Sequence, residues 1–523
     1  MGNIDRRAFL ATAGASVSLT VAGCTGTDDG AGERTTLNVG QALSPVHFDP
    51  IEQFSNPDAI VGNRIYSSVY TYTEGYDVEP ELATAAPEIE RDNTRYTIEL
   101  RDDAQFHNGD PVTAEDVEYS ITAPVEEGTP LASLFSPIET TELIDENTIQ
   151  VDLENPFAMF EEVLTHHVVP KDVREADPEA FGTSDPIGSG PFQFVDWEEG
   201  NFVELERWDD YWGDELPALE RVRFEPIDES TTRITEIETG AKDVIETVPP
   251  QLWSTVDEMD DTTIYDSPSV GYFYVAFNCN EGPTADARVR EAIDYTFSMD
   301  QAVERYIEPA GERQHSPIPT DLAEEWDMPV DEWAEIPHEP DLDRAQELFD
   351  EADVPDDWTA TILVPPDDNR EEIGLTIANG LQEAGYDANV ERLEWGSLLD
   401  RAYTGNADDY NIYVLGWIRY ADPDDFMYNL FHEEAEEVNQ GVYYRDPDVQ
   451  EQIAQARETV DVDQRRELYI DAITTLLEER VHLPSYNYYN VYAAKNYVQE
   501  FETHPIGPVN PRLLTSYNNV TLD

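Results

Sequence analysis

The sequence predicts a mixed α/β fold built from two or three domains. Three observations carry that prediction: a length of 523 residues, more than a single hydrophobic core fills; short runs that alternate apolar and polar residues as strands do; and amphipathic helical stripes interleaved with those runs in β-α-β order. The 35 prolines are spread along the chain, as expected of a loop-rich architecture. No internal repeat of about 20 to 50 residues is visible.

At the N-terminus, Asp5-Arg6-Arg7-Ala8-Phe9-Leu10 sets paired arginines ahead of an apolar stretch, residues 8–22. The pattern predicts an export signal of the twin-arginine type. A membrane-spanning helix needs about 20 apolar residues, and this stretch is shorter. It ends in Val21-Ala22-Gly23-Cys24, which resembles a lipobox, so residues 1–24 are expected to be the signal and Cys24 the lipid anchor. Residues 25–36 are small and charged without periodicity, as in a flexible tether, and the fold is expected to begin near Leu37.

Along the folded part, residues 95–101 alternate as a half-buried strand does, and the breakers in His107-Asn108-Gly109-Asp110-Pro111 predict the turn that follows. Thr113 with Asp116 three positions on is a capping signal for a helix carrying Val117 and Ile121. Residues 149–153 and 202–206 alternate again, and Pro186-Ile-Gly-Ser-Gly-Pro191 between them predicts a passage between lobes. Residues 271–277 are almost wholly aromatic and β-branched, as in a buried strand. Three helical stripes follow, on Val289, Ala292, Ile293 and Phe297, on Leu342, Ala345, Leu348 and Phe349, and on Leu468, Ala472, Ile473, Leu476 and Leu477. Residues 360–364, a helical stretch to Leu381, and residues 388–393 supply the β-α-β unit.

Against 113 Asp and Glu stand 30 Lys and Arg, a formal net charge of −83, which makes nucleic acid an implausible partner. Self-repulsion on this scale is screened in about 1 M salt, where the Debye length is about 3 Å, so the fold is expected to need molar salt. Lys171, Lys242 and Lys495 are the only lysines, a usage that resembles haloarchaeal proteins. Of the two cysteines, Cys24 belongs to the signal, so Cys279 has no disulfide partner and is expected to be buried.

Four segments, in order, resemble the dipeptide, oligopeptide and nickel group of extracellular solute-binding proteins, family 5. They are Leu82-Ala83 with residues 96–117; Gly188-Ser-Gly-Pro-Phe192 with Asp209-Asp-Tyr-Trp-Gly213; Phe277-Asn278 with Asp286-Ala-Arg-Val-Arg-Glu-Ala292; and Gly416-Trp417 with Asp422-Pro423. The resemblance implies a two-lobed periplasmic-binding-protein type II fold whose lobes are joined by two crossing strands, with a small extra domain on one lobe. Carried onto this sequence, lobe I takes residues 37–70, 186–268 and 499–523, the small domain 71–185, and lobe II 269–498. It implies capture of a solute, with peptide the leading choice and oligosaccharide or a nickel complex the alternatives. Delivery would be to ABC permease and ATPase subunits on separate chains, from a monomer anchored at the extracellular face of the membrane.

For the site, the resemblance makes Asp422 the partner of a peptide amino group, although Asp-Pro-Asp-Asp is equally a helix N-cap pattern. Family members commonly place five residues between the Trp and the Asp-Pro; here there are four, with Arg419 and Tyr420 among them. That departure leaves room for an anionic or sugar ligand, since a guanidinium suits a carboxylate or phosphate. Trp417 is the expected cleft aromatic, followed by Tyr272 and Tyr274, and the 486–490 cluster is expected near the hinge. His107 and Asp110 are expected to shape the turn, and the adjacent His166 and His167 to point apart without forming a metal site. No cofactor is expected. A surface hydrolase and a signalling receptor are the competing readings, but no Gly-x-Ser-x-Gly or His-Glu-x-x-His motif is present.

Overall fold

The computed structural model describes residues 34–52 and 55–523. The signal, Cys24 and most of the tether lie outside the described residues. Residues 35–523 form one compact unit that opens with the strand Thr36–Gln41, one residue ahead of Leu37.

Local expectations and local structure agree where the period is clear. Arg95–Glu99, Thr148–Leu153 and Phe202–Arg207 are strands with alternating burial. Gly271–Phe277 is a strand buried at every position. The helix Ala114–Glu127 begins where its capping signal lies: the Thr113 hydroxyl accepts from the Asp116 N–H while the Asp116 carboxylate accepts from the Thr113 N–H at 2.9 Å. Ala287–Asp294, Leu342–Glu351 and Val462–Glu478 are helices with the expected stripes buried. In the β-α-β unit, Thr359–Val364 and Asp387–Arg392 pair in parallel around the helix Asp368–Glu383.

One twelve-stranded sheet runs through both lobes, because the strand His482–Lys495 is long enough to belong to each. Its first part pairs with Gly271–Phe277 in lobe II, from Ala276 opposite His482 to Phe273 opposite Tyr486. The remainder pairs with Thr262–Pro268 and Val244–Glu246 in lobe I. The two chain passages between lobes therefore lie side by side, at Ser269-Val270 and near Asn487-Tyr488. They are tied there by a reciprocal contact: Asn487 Nδ2 donates to the Ser269 carbonyl at 2.6 Å and Ser269 Oγ donates to Asn487 Oδ1 at 2.7 Å. A Cβ on Gly271 would come within 2.7 Å of Ser269 Oγ and 2.9 Å of Asn487 Oδ1, so the hinge requires glycine for its close approach.

The cores refine the expected domain boundaries. Tyr492, Ala494 and Val498 pack with Leu37, Val39 and Phe224 in the lobe I core, so lobe II ends inside the long strand and not at Val498. No Gly or Pro interrupts the chain from 485 to 495, and the crossing is unmarked in sequence. The small domain is a four-stranded antiparallel sheet covered by the helix Ala114–Glu127. Its core runs from Val69 to Val168, whereas Val169 and Phe181 pack into lobe I.

The hinge contact is buried on both sides, Ser269 at 4% and Asn487 at 1% exposure. Asn487→Ala strands a buried carbonyl and hydroxyl, which costs about 1–3 kcal/mol. Urea melts in molar KCl are expected to show that loss; an unchanged midpoint would remove the contact from the account of the hinge.

Candidate ligand cleft

The fourth motif segment is built around three consecutive needs for a partner. The strand Ile412–Ile418 carries Trp417, and after four intervening residues the helix Pro423–Phe431 starts with Asp422 as its N-cap, accepting from the Asp424 N–H at 2.7 Å. Between them the loop is fixed by Asp425, fully buried. Its carboxylate accepts from Trp417 Nε1 at 2.8 Å, the Tyr420 N–H at 3.2 Å and Asn429 Nδ2 at 3.1 Å. Burial pushes the Asp425 carboxyl up and the nearby Arg419 charge opposes that.

This arrangement corrects the expected role of Asp422. Both its oxygens are held by Arg465, at 2.6 and 3.0 Å, and the pair is buried. The Asp422 charge is thus met by a guanidinium fork, one oxygen also accepts from the Asp424 N–H, and Asp422 does not line the cavity between the lobes. Asp424 is likewise paired with Arg457 at 2.7 Å, and burial pushes its carboxyl up to about 6 against that pull. Tyr272 and Tyr274 are also corrected. They are 0% and 1% exposed and stack on each other and on His482, with Tyr274 and His482 centroids 4.2 Å apart. Every side chain of that strand is buried, so its aromatics serve the lobe II core.

The cavity of about 480 Å³ between the lobes is lined instead by Ile418, Arg419 and Tyr420 from lobe II, by Tyr488 to Tyr492 of the crossing strand, and by Thr165 to His167 of the small domain. Lobe I closes it with Asn56, Asn63, Glu246 and Thr247. Trp417 does not line it. Its ring lies under the Arg419 guanidinium, 5.5 Å away, and Tyr420 flanks the same group at 5.7 Å, so Trp417 positions Arg419 by a cation–π contact. Arg419 has no ion-pair partner among the described residues.

His166 and His167 both border the cavity, with ring centroids 6.3 Å apart, which corrects the expectation that they diverge. The backbone bends here between the helix Phe160–Val163 and the isolated bridge of His167 with Ser68, so strand-like alternation does not hold. Burial pushes His166 down to about 4 and His167 to about 3, so both are neutral at pH 7. His167 Nε2 lies 3.2 Å from Asn63 Oδ1, and His166 Nε2 is buried without a hydrogen bond. Among the described residues no three His, Cys, Asp or Glu gather as a metal site.

Two further cleft groups escaped the sequence reading. Glu246 and Thr247 end the strand Val244–Glu246 just before Pro249-Pro250. Strand carboxyl ends facing a crevice are where α/β sheets bind ligands, and that position was the available signal. Glu162, on the small domain, reaches across the cleft: its carboxylate accepts from the Ala421 N–H of lobe II at 2.6 Å and from the Tyr72 hydroxyl at 2.9 Å. Burial, then the nearby Asp422 charge, push Glu162 up to about 8.

The first two motif segments meet away from the cavity. The His107 N–H donates to the Gly188 carbonyl, and its Nε2 lies 3.0 Å from the Gly190 carbonyl. The Asp110 N–H closes on Asn108 Oδ1 at 3.0 Å. Gly188 and Gly190 press against the end of the helix Asn56–Ile65, where a Cβ would fall within 2.1 and 2.6 Å of its carbonyls. Both histidine and aspartate are architectural: Asp110 closes the turn, and His107 holds the small domain to lobe I.

Comparison with known proteins adds the family. Over 457 residues the chain is 22% identical to the glutathione-binding protein of Pectobacterium atrosepticum, covering 84% of this chain and 86% of that protein. Over 461 residues it is 25% identical to the probable D,D-dipeptide-binding periplasmic protein of Escherichia coli, covering 86% and 87%. A solved structure of the periplasmic binding protein DppA from Helicobacter pylori, in complex with the peptide STSA, superposes with a TM-score of 0.78 at 22% identity over 94% of this chain and 98% of that one. The model of the bacterial extracellular solute-binding proteins, family 5, matches residues 77–437, and this chain belongs to that family.

Proposed function

We propose that this protein captures a small peptide or peptide-like solute carrying a carboxylate and delivers it to the permease of an ABC importer. The observation that carries the reading is Arg419, a cation facing the interlobe cavity with no ion-pair partner among the described residues, in a chain whose formal charge is −83. A guanidinium held between two aromatic rings is a ready fork for a carboxylate. The names of the relatives, a glutathione-binding and a D,D-dipeptide-binding protein, supply solutes of that chemistry. A cavity of about 480 Å³ suits a compact solute, whereas nine extended residues span ~30 Å.

Closure is the mechanism. In the open protein a solute meets one lobe; when the lobes close, Arg419 and Tyr420 come over it. Tyr420 then packs on the small-domain core and Glu162 takes the Ala421 N–H. Only a solute that binds the closed form better shifts the balance toward it. The reading assigns binding and delivery and no chemistry on the cargo. Export by the twin-arginine route, a lipid on Cys24, a monomeric state and a fold that needs molar salt complete it, supported by the Arg6-Arg7 and Val21-to-Cys24 segments and by the acidic composition.

Two measurements test the reading. Titration calorimetry with dialanine in molar KCl is expected to give saturable binding that Arg419→Gln weakens roughly ten- to a hundredfold, the scale of a lost charge-assisted hydrogen bond. Unchanged affinity would remove Arg419 from the site. The second is a pH series. Glu162 is held at about 8 in the closed arrangement and returns toward about 4.3 when solvated. Between those values the closed form binds more protons, so closure weakens as pH rises. Affinity is therefore expected to fall from pH 6 to pH 9, and Glu162→Gln to flatten the fall. Asp424, pushed up to about 6, lies at the lower edge of that range, and His166 and His167, at about 4 and about 3, stay neutral through it. A profile as steep in the variant would assign the titration elsewhere.

A further inference from the structure

The cavity walls carry one acid and one base. Apart from the two neutral histidines, every other lining side chain is uncharged, although more than a fifth of the chain is Asp or Glu, 113 of 523 residues. The base is Arg419 of lobe II. The acid is Glu246, at the end of the lobe I strand Val244–Glu246, which pairs with both Thr36–Gln41 and the crossing strand. The two do not pair with each other, and neither has an ion-pair partner among the described residues.

Glu246 is held for use. Its Oε2 accepts from the Ala42 N–H at 2.8 Å, and Oε1 has no hydrogen bond among the described residues. Burial pushes the Glu246 carboxyl up, opposed by the Ala42 N–H and by the Arg233 charge; Arg233 itself donates through its terminal nitrogens to the Ile227, Asp228 and Thr247 carbonyls and forms no ion pair with Glu246 among the described residues. The next residue, Thr247, has φ 61°, a conformation that a β-branched side chain adopts only under constraint. Its N–H donates to the Val491 carbonyl of the crossing strand at 2.7 Å. The strained residue thus pins Glu246 where the strand ends on the cavity.

We infer that Glu246 receives the cationic group of the solute, so that the cleft selects zwitterions with the ammonium on lobe I and the carboxylate on Arg419 of lobe II. This assignment rests on the peptide-class reading above and adds a direction to it. It moves the ammonium partner from Asp422, closed off by Arg465, to the opposite lobe. It also gives a use to two cavity charges that form no ion pair among the described residues: only a solute with both charges bridges the lobes.

The test uses the purified protein in molar KCl and three probes: dialanine, N-acetyl-dialanine and dialanine amide, titrated into wild type and Glu246→Gln. Expected are tight dialanine binding by wild type, at least tenfold weaker binding of the N-acetyl compound, and loss of that preference in Glu246→Gln with discrimination against the amide retained. Equal binding of dialanine and N-acetyl-dialanine by wild type overturns the assignment while leaving peptide capture and Arg419 in place. This wild-type comparison stands even if the variant folds poorly. No binding of any probe overturns the assignment together with the small-peptide reading.

Discussion

The contact between Ser269 and Asn487 is the constraint on which the rest of the structure depends. A two-lobed protein needs two passages between its lobes, and here both are strands of one sheet running past each other. Each must leave one partner strand and take up another, which exposes backbone groups at the changeover. The Asn487 amide and the Ser269 hydroxyl and carbonyl satisfy one another in the buried gap, where an unmet polar group is costly. Gly271 keeps the approach close enough for that to happen. Everything that lines the cleft is placed relative to this point: the residues after Asn487 form its floor, Gly271–Phe277 aligns the strand that ends in Ile418, and Val244–Glu246 is held by the far half of the same long strand.

Charge is organised in the same economical way. Arginine forks meet several of the acids: Asp422 on Arg465, Asp424 on Arg457, and Asp49 with Glu127 on Arg174, at 2.7 and 2.6 Å for the last two contacts. Breaking such a pair leaves an uncompensated charge and costs about 3–5 kcal/mol. Arg174 also ties Glu127 of the small-domain helix to Asp49 of lobe I, so the pair is architectural across a domain boundary. Arg419 and Glu246, by contrast, form no ion pair among the described residues, and both lie on the cavity between the lobes. Trp417 belongs with them. A tryptophan expected to stack on the solute instead lies against the Arg419 guanidinium.

What was legible in the sequence follows the range of the interaction. Strands and helices whose side chains repeat with a clear period, and caps set by residues three apart, were readable because the partners are neighbours in the chain. So was the architectural role of His107, whose turn chemistry is local. The role of Asp422 was not, because the residue that occupies its carboxylate is 43 positions away. Both of the open readings for Asp422 were compatible in sequence; the capping contact is formed and the other is closed off by Arg465. Tyr272 and Tyr274 sit in a strand buried on both faces, and such a strand shows no alternation that distinguishes cleft from core. His166 and His167 were set aside on the strength of strand geometry that a bend removes. Glu246 is one of 113 acids and carries no local mark apart from the strand end on which it sits.

If the solute bridges Glu246 and Arg419 as proposed, their placement on different lobes makes specificity and closure one event. Were both on the same lobe, a zwitterion would bind the open form as well as the closed one, and binding would shift no conformational balance. With one charge on each lobe, the second ion pair forms only when the lobes meet, so its full free energy acts on closure. Glu162 adds a contact between the small domain and Ala421 of lobe II, which on the proposed mechanism forms as the lobes close. A solute lacking either charge leaves one group buried without its counter-ion as the cleft shuts, and the penalty falls on the closed state alone. Such a cleft rejects the wrong solute by failing to close on it, which is the discrimination a delivery protein needs if its partner recognises only the closed form.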